Sequence, residues 1–367
     1  MLLYKGLRDQ LLGPLQAVSG IVEKRHTLPI LSNVLLEKNA GVLTLLATDI
    51  EIQITTQTQT SGEESTSITV GARKLQDILR SLPEGLEVSL ALVDKRLQLK
   101  AGKGKFNLQT LPAEDFPRMV VTEDQSTRFS VSQKQLKKLF ALVQYAMAQQ
   151  DIRYYLNGLL LITKGNELRV VATDGHRLAY AAGALEEALA PIEVILPRKT
   201  ILELSKQLND SEDLVEIILT PNQARFKFNN IEFISKLIDG KFPDYERVIP
   251  KNHGKILKIS RNQFIQLLQR VAILTNEKFR GVRLLLSEGS LKIISNNTEQ
   301  EEAQEEIEVE YSGESLDVGF NVTYLLDVLA NVSEETIELH LADANSSALF
   351  ILPGNENFKY VVMPMRI

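Results

Sequence analysis

The chain has no cysteine, which excludes disulfides, thiolate zinc sites and cysteine nucleophiles. Histidine is scarce: His26, His176, His253 and His340 are the only four, and they lie far apart in sequence. Little is left for metal or acid–base chemistry, so neither a metal nor a cofactor is expected. No run approaches the ~18 to 20 consecutive apolar residues that a membrane span needs. The N-terminal MLLYKGLRDQ is charged where a signal peptide is apolar. A cytoplasmic protein with no membrane partner is therefore expected.

Basic charge is also in deficit. The net charge is −6, which argues at first sight against nucleic acid, because phosphate binding rests on Lys and Arg. The distribution softens that objection. Residues 299–310, EQEEAQEEIEVE, carry seven Glu and no base, more than the whole net charge. Such a run reads most simply as a solvated face. With 44% hydrophobic and 24% charged residues, the composition is that of a soluble globular protein. At 367 residues the chain exceeds one ordinary core, and about 100 to 200 residues per domain gives two or three.

What the sequence does contain is repetition. NVLLEKNAGVLTLLATD ends at Asp49, NGLLLITKGNELRVVATD at Asp174 and GVRLLLSEGSLKIISNN at Asn297, at intervals of 125 and 123 residues. Each is two apolar runs around a Gly or Asn turn, the pattern of a β-hairpin. A helical stripe precedes each hairpin: Leu11, Leu12, Leu15, Val18; Leu136, Leu139, Phe140, Val143; Phe264, Leu267, Leu268, Val271. In copies two and three a strand and a capping serine, Ser132 or Ser260, come before that helix. A second helix follows each hairpin, marked by Leu75, Ile78, Leu79, then Ile201, Leu202, Leu204, then Leu325, Leu326, Leu329. The period is far above the ~20 to 50 residues of solenoid repeats, so each copy has room for its own core.

Three local features invite chemistry. ATDGHRLA at 172–179 sets Asp174 and His176 two apart, as an acid–base dyad would. Copy one has ATDIEIQI and copy three SNNTEQEE at the same place, which favours a structural or binding role. GKGKF at 102–106 lacks P-loop spacing and leads into a strand. Bases recur on equivalent helices, as Arg73, Lys74 and Arg80, as Lys134, Lys137 and Lys138, and as Arg198, Lys199 and Lys206. The matching helix of copy three, NVTYLLDVLA, has Asp327 and no base. QQDIRYYLNG places Arg153, Tyr154 and Tyr155 before a strand, where one tyrosine can be buried and the other outside. The C-terminal YVVMPMRI reads either as a closing strand or as an adaptable apolar surface for a peptide.

Seven phrases in order, RHTLPILSNVLL, DIRYYLNGLL, VATDGHRLA, DGKFPDYERVIP, NEKFRGVRL, NNTEQEEAQEEI and YVVMPMR, closely resemble the bacterial DNA polymerase III beta subunits, the replication sliding clamps. The resemblance runs over the whole chain. It implies an α+β fold of three tandem clamp domains, 1–122, 123–251 and 252–367, in a head-to-tail dimeric ring with helices inside and sheets outside. It also implies a processivity factor with neither catalytic activity nor cofactor. The implied partners are duplex DNA, a second copy of the chain, the DNA polymerase III catalytic subunit, the clamp loader, and other polymerases and repair proteins that carry short linear motifs. A ring holds DNA by topology and needs only weak sliding contacts with phosphate. The net charge is then compatible with DNA, because the field is local. A clamp-fold variant that replaces an antibiotic-targeted clamp shares these motifs, and a hydrolase using Asp174 and His176 is the other alternative.

The resemblance also assigns residues. DNA contacts fall on Arg25, Gln150, Tyr154 and Tyr155, with Lys24, Arg73, Lys137, Arg198 and Lys199 as weaker ones. The dimer seam sets Phe106 and Leu108, with Lys74, Arg96, Lys103 and Lys105, opposite Ile273, Leu274, Glu299, Glu301, Glu305 and Glu306. A peptide groove is implied at Leu156, Thr173, Gly175, His176, Arg177, Leu178, Pro243, Arg247, Val248, Val361, Val362, Met363, Pro364, Met365 and Arg366. Gln304 stands where relatives often have an acid, and His26, Thr298 and Ile367 also depart from the common pattern.

Overall fold

The computed structural model describes residues 1–23, 28–121, 125–251 and 254–367. Copy one runs β1 (Leu2–Leu7), α1 (Arg8–Ser19), β2 (Asn33–Asn39), β3 (Val42–Thr48), β4 (Ile52–Gln59), β5 (Thr66–Gly71), α2 (Ala72–Ser81), β6 (Glu87–Val93), β7 (Arg96–Ala101) and β8 (Gly104–Leu111). Copy two runs β9 (Thr127–Ser132), α3 (Gln133–Val143), β10 (Gly158–Thr173), β11 (Arg177–Pro197), α4 (Arg198–Gln207), β12 (Leu214–Leu219), β13 (Gln223–Phe228) and β14 (Ile231–Lys236), followed by the short α5 (Tyr245–Val248). Copy three runs β15 (Lys255–Ser260), α6 (Arg261–Ala272), β16 (Gly281–Ser287), β17 (Ser290–Asn296), β18 (Glu302–Glu308), β19 (Leu316–Asn321), α7 (Val322–Asn331), β20 (Thr336–Leu341), β21 (Ala348–Leu352) and β22 (Asn355–Val362). Among the described residues no helix is long and apolar enough to cross a membrane.

The predicted helical stripes are the buried faces. Leu11, Leu15, Val18, Leu136, Phe140, Val143, Phe264, Leu268 and Val271 are fully shielded. Burying one such side chain stabilises by roughly 1.5–3 kcal/mol. Helices this short are marginal in isolation, so packing of the stripe holds them. The N-terminus of α6 is held differently from the predicted serine cap. Ser260 makes no side-chain cap bond to α6. Instead the first helical N–H donates to a distant backbone carbonyl, at the same place in each copy: Arg8 to Leu86 at 2.8 Å, Gln133 to Asp213 and Arg261 to Glu335 at 2.9 Å. A tertiary carbonyl satisfies the orphan donor as well as a side chain does.

The chain forms two compact units, residues 1–134 with 202–237, and 135–201 with 238–367. The first holds one sheet in the order β1-β6-β7-β8-β5-β2-β3-β4-β14-β13-β12-β9; the second holds two, β10-β11-β22-β21-β20-β15 and β18-β17-β16-β19. In copy one β2 pairs with β3 and β5, and β3 with β4. Copy three repeats this as β16 with β17 and β19, and β17 with β18. Copy two covers the same stretch with two long strands. Gly158–Thr163 pairs with Ile192–Pro197, while Glu167–Thr173 pairs with Leu178–Ala184, the register shifting around Gly165 at φ +59°.

The last strand of a copy then pairs with the strand that follows the ATD phrase in the copy before it. β14 lies on β4, from Ile231↔Thr56 to Ser235↔Ile52. β22 lies on β11 in the same way, from Phe358↔Ala181 to Val362↔Arg177. Two strands lack that partner among the described residues. β18 pairs only with β17, and β8 pairs along β7 but meets β5 only at Thr110 and Leu111.

Candidate functional site

The phrase shared by the three copies is a turn. Asp49 Oδ1 accepts the backbone N–H groups of Glu51 and Ile52 at 3.0 and 2.7 Å. Asp174 Oδ1 accepts those of His176 and Arg177 at 2.9 and 3.1 Å. Asn297 Oδ1 accepts those of Glu299 and Glu301, both at 3.0 Å. This is the Asx turn, in which a short side chain replaces a backbone acceptor. The other Asp174 oxygen takes the Arg177 guanidinium at 3.1 Å. The His176 ring lies instead along Tyr324, with centroids 6.5 Å apart and planes 20° from parallel. Asp174 is thus committed to the turn and to Arg177, which leaves the acid–base reading of Asp174 and His176 without its geometry. GKGKF likewise forms a tight strand turn, with Ala101 paired to Gly104 and Gly102 at φ +55°, and no helix follows.

Arg177 is the centre of this corner. Its side chain is only 9% exposed. Nε meets Asp174, Nη1 meets Asp327 Oδ2 at 2.5 Å, Nη2 donates to the Tyr145 carbonyl at 2.7 Å, and the guanidinium lies 4.4 Å from the Tyr324 ring centre. Burial alone pulls its pKa down, but Tyr360, Asp327 and Asp174 outweigh burial and raise it. The cation is therefore fixed. Asp327 is the one charged residue of α7, whose counterparts in the other copies carry several bases, and its role is to pair with Arg177. Sequence alone showed an anomaly there; a lone acid on the apolar stretch NVTYLLDVLA requires a cation.

Around that corner an apolar cluster joins Ala148, Leu156, Leu178, Phe242, Tyr245 and Val361, with Tyr155 and Ile249 packed against it. The proposed groove residues divide into two sets. Leu156, Thr173, Leu178, Val361 and Val362 are buried behind the surface. Gly175, His176, Pro243, Arg247, Val248, Met363 and Arg366 are exposed, and Pro364 and Met365 half-buried. Met363 is 50% exposed. β11 and β22 bring Arg177 beside Val362, and Met363 N–H donates to the His176 carbonyl at 2.9 Å. α5 is tied down by Arg169, which bonds Glu167 at 2.6 Å and Glu246 at 3.4 Å, and by Tyr245 stacked on Tyr180. Arg247 and Val248 thereby keep a fixed place. Sequence reasoning missed Phe242, Tyr245 and Asp327.

The predicted DNA residues are less concentrated. Lys24 and Arg25 lie outside the described residues, as do His26 and His253. Gln150 is exposed at φ +57°. Tyr154 and Tyr155 sit in a 3-10 turn, Tyr154–Leu156, not the extended segment expected. Tyr154 is 57% exposed while Tyr155 leans into the cluster, their rings edge to face at 5.9 Å. Beside them Arg153 grips Asp151 through Nε at 3.0 Å and Nη2 at 2.8 Å, and this contact lowers the Asp151 pKa to about 2. Gly175, at φ +89°, leaves room for that fork; a Cβ there would stand 2.9 Å from both Arg153 Nη atoms. Lys137 is exposed, and Lys199 and Arg198 are half-buried, with Arg198 donating to the Met147 carbonyl at 3.2 Å. Arg73 is exposed and bonds the Val22 carbonyl at 3.0 Å.

The two strands without a joint carry opposite charge. Along β8, Phe106 and Leu108 share the half-buried face, while Lys103 and Lys105, like Arg96 and Lys74, are exposed. A cleft of about 520 Å³ lies where β8 parts from β5, lined by Arg73, Lys74, Leu108 and Leu111 among others. In the other unit, β18 presents exposed Glu302, Gln304, Glu306 and Glu308, preceded by exposed Glu299 and Glu301. Glu305 instead bonds Arg270, which lowers its pKa. Ile273 is 76% exposed, with Leu274 half-buried. An open edge is a template for pairing with another chain.

Three family models match consecutive segments: the DNA polymerase III beta subunit N-terminal domain over residues 6–120, the central domain over 130–244 and the C-terminal domain over 246–366. The chain is 49% identical to the beta sliding clamp of Pseudomonas putida over 367 residues, 98% of both chains. It is 44% identical to that of Escherichia coli K12 over 361 residues, again 98% of both. A crystal structure of the DNA polymerase III subunit beta from Pseudomonas aeruginosa matches with a TM-score of 0.96 at 47% identity, covering 99% of this chain and 100% of that one. Spanned end to end by all three domains, the chain belongs to the DNA polymerase III beta subunit family, the replication sliding clamps, which are non-catalytic processivity factors.

Proposed function

We propose that two copies of this chain close head to tail into a ring around duplex DNA in the cytoplasm. The observation that carries this reading is the repeated strand joint. β14 on β4 and β22 on β11 follow one register, and β8, the last strand of copy one, and β18, the fourth of copy three, are the two strands without such a joint among the described residues. Transferring that register to β18 of one copy and β8 of another sets Glu301 opposite Leu108, Ala303 opposite Phe106, Gln304 opposite Lys105 and Glu305 opposite Gly104. Lys105 then has Glu302 and Glu306 as diagonal neighbours, and Lys103 faces Glu306. Cross-strand pairs of opposite charge at such positions contribute roughly 0.2–1 kcal/mol each. Lys74 and Arg96 add base on the β8 side, and Ile273, Leu274 and Glu299 complete the other. A head-to-tail contact that closes after two copies gives a ring instead of a filament.

Inside such a ring, Arg73, Lys137, Arg198 and Lys199 touch phosphate weakly, with Lys24, Arg25, Gln150, Tyr154 and Tyr155 as the remaining DNA contacts. Topology supplies retention, so strong contacts are unnecessary. The surface of His176, Gly175, Pro243, Arg247, Val248 and Met363 to Arg366 takes short linear peptides from the DNA polymerase III catalytic subunit, the clamp loader and other polymerases and repair proteins. Two such grooves per ring hold partners at high effective concentration. The test is retention on DNA. Protein loaded on a closed circle should stay bound and then be lost once the circle is cut; equal loss from both forms would sink the ring reading.

A further inference from the structure

The C-terminal tail crosses from one sheet to another. After β22, Met363 N–H donates to the His176 carbonyl at 2.9 Å beside β11, and Met365 N–H donates to the Gly319 carbonyl of β19 at 2.8 Å. Between them Pro364 has a fixed φ. Three residues of the groove surface are thus pinned at two points on two different sheets. The second point recurs in the other copies, where Leu111 pairs with Thr69 and Ile238 with Ile195. Copies one and two therefore carry a side chain where copy three has Gly319.

The reason is space. A Cβ on Gly319 would stand 2.4 Å from the Met365 carbonyl oxygen and 2.8 Å from Ile367 Cδ1. On the neighbouring strand β16, a Cβ on Gly281 would stand 2.9 Å from the same Ile367 atom. Neither glycine has positive φ, so neither is needed for backbone conformation. Their shared function is to admit the tail. Gly319 clears backbone, which cannot rotate away, whereas Gly281 clears only the end of a side chain.

We propose that Gly281 and Gly319 form a seat for the C-terminal tail, and that Ile367, by filling this seat, positions Met363 to Met365 for peptide binding. The inference rests on the peptide-groove reading above. It assigns three positioning residues that need not touch the peptide. The tail is held as a strap, so the affinity of the groove depends on contacts made on its far side.

The test uses the full-length protein and a fluorescein-labelled peptide copied from the clamp-binding segment of a replicative polymerase subunit, read by fluorescence polarisation. Gly319→Ala should weaken binding about tenfold or more, a loss of some 1.4 kcal/mol, with dimer mass by light scattering unchanged. Gly281→Ala should weaken it less than that but more than Ile367→Ala alone does, and adding Ile367→Ala should bring it back to the affinity of Ile367→Ala alone, because the clash is with that side chain alone. The same second substitution should not restore Gly319→Ala, where the Met365 carbonyl still clashes. Wild-type affinity in Gly319→Ala would overturn the seat, as would failure of Ile367→Ala to relieve Gly281→Ala. Ile367→Ala alone, which introduces no clash, guards against misfolding and should weaken binding by a few-fold. If wild-type protein does not bind the peptide, the groove reading fails and the seat with it. If Met363→Ala weakens binding but neither glycine variant does, only the seat fails.

Discussion

At the joint of β4 with β14, Ile52 stands opposite Ser235 and is buried as an ordinary apolar side chain. At the joint of β11 with β22, the matching position is Arg177 opposite Val362, and it holds a cation between Asp174 and Asp327. The Asx turn leading into each joint is the same. Backbone pairing alone therefore does not make a groove. It supplies a corner, and replacing one apolar residue with a guanidinium draws α7 and the tyrosines into it. At the first joint the chain continues past Ser235 with Lys236 bonded to Glu51, whereas at the second it leaves as the Met-Pro-Met tail.

The largest expected difference between the two joints is in stability. Arg177→Ala should cost about 3–5 kcal/mol, because Asp174 and Asp327 would lose the partner of a buried pair. Ile52→Val should cost roughly 0.5–1.5 kcal/mol. Urea unfolding of both variants tests this, and a smaller loss at Arg177 than at Ile52 would erase the distinction. Next comes binding: Met363→Ala should weaken a polymerase-derived peptide by about tenfold, or some 1.4 kcal/mol, while Lys236→Ala at the first joint should leave it unchanged. Smaller still is the seam. Gln304→Glu restores an acid opposite Lys105 and should tighten self-association by about 0.2–1 kcal/mol at low salt, the gain fading as salt is added. The smallest effect is a titration. The Arg153 fork lowers the Asp151 pKa, so the ion pair should persist below the ordinary carboxylate range and be lost only as pH falls toward about 2; carboxyl NMR of Asp151 reads this directly.

The stripe residues of α1, α3 and α6 were legible because each lies three or four positions from the next on one helix. The triplet ATD, ATD and SNN was legible as a repeat, but its turn was not, since the acceptor depends on backbone geometry. Ser260 looked like a cap; the bond goes instead to the Glu335 carbonyl, a partner with no local signature. Asp327 was visible only as an oddity, because Arg177 lies 150 residues away. The long strands of copy two were hidden for a related reason. Their hairpin runs read like those of the other copies, and only the pairing shows that the two halves of β10 meet the two halves of β11. Tyr154 and Tyr155 were expected one in and one out, which holds, although a 3-10 turn arranges them.

The joint of β14 with β4 separates covalent order from mechanical order. Residues 51–57 of copy one are bonded to 230–236 of copy two through the strand ladder, the Asn230 amide on the Gln57 carbonyl and the Lys236 N–H on the Glu51 carbonyl. A protease that cut at Arg118 or Arg128, on either side of the polar connector VTEDQST at 121–127, would give two bands on a denaturing gel yet one particle under native conditions. The connector is thus a permissive site for an inserted tag or a lengthened loop. Its length can drift without changing which strands meet.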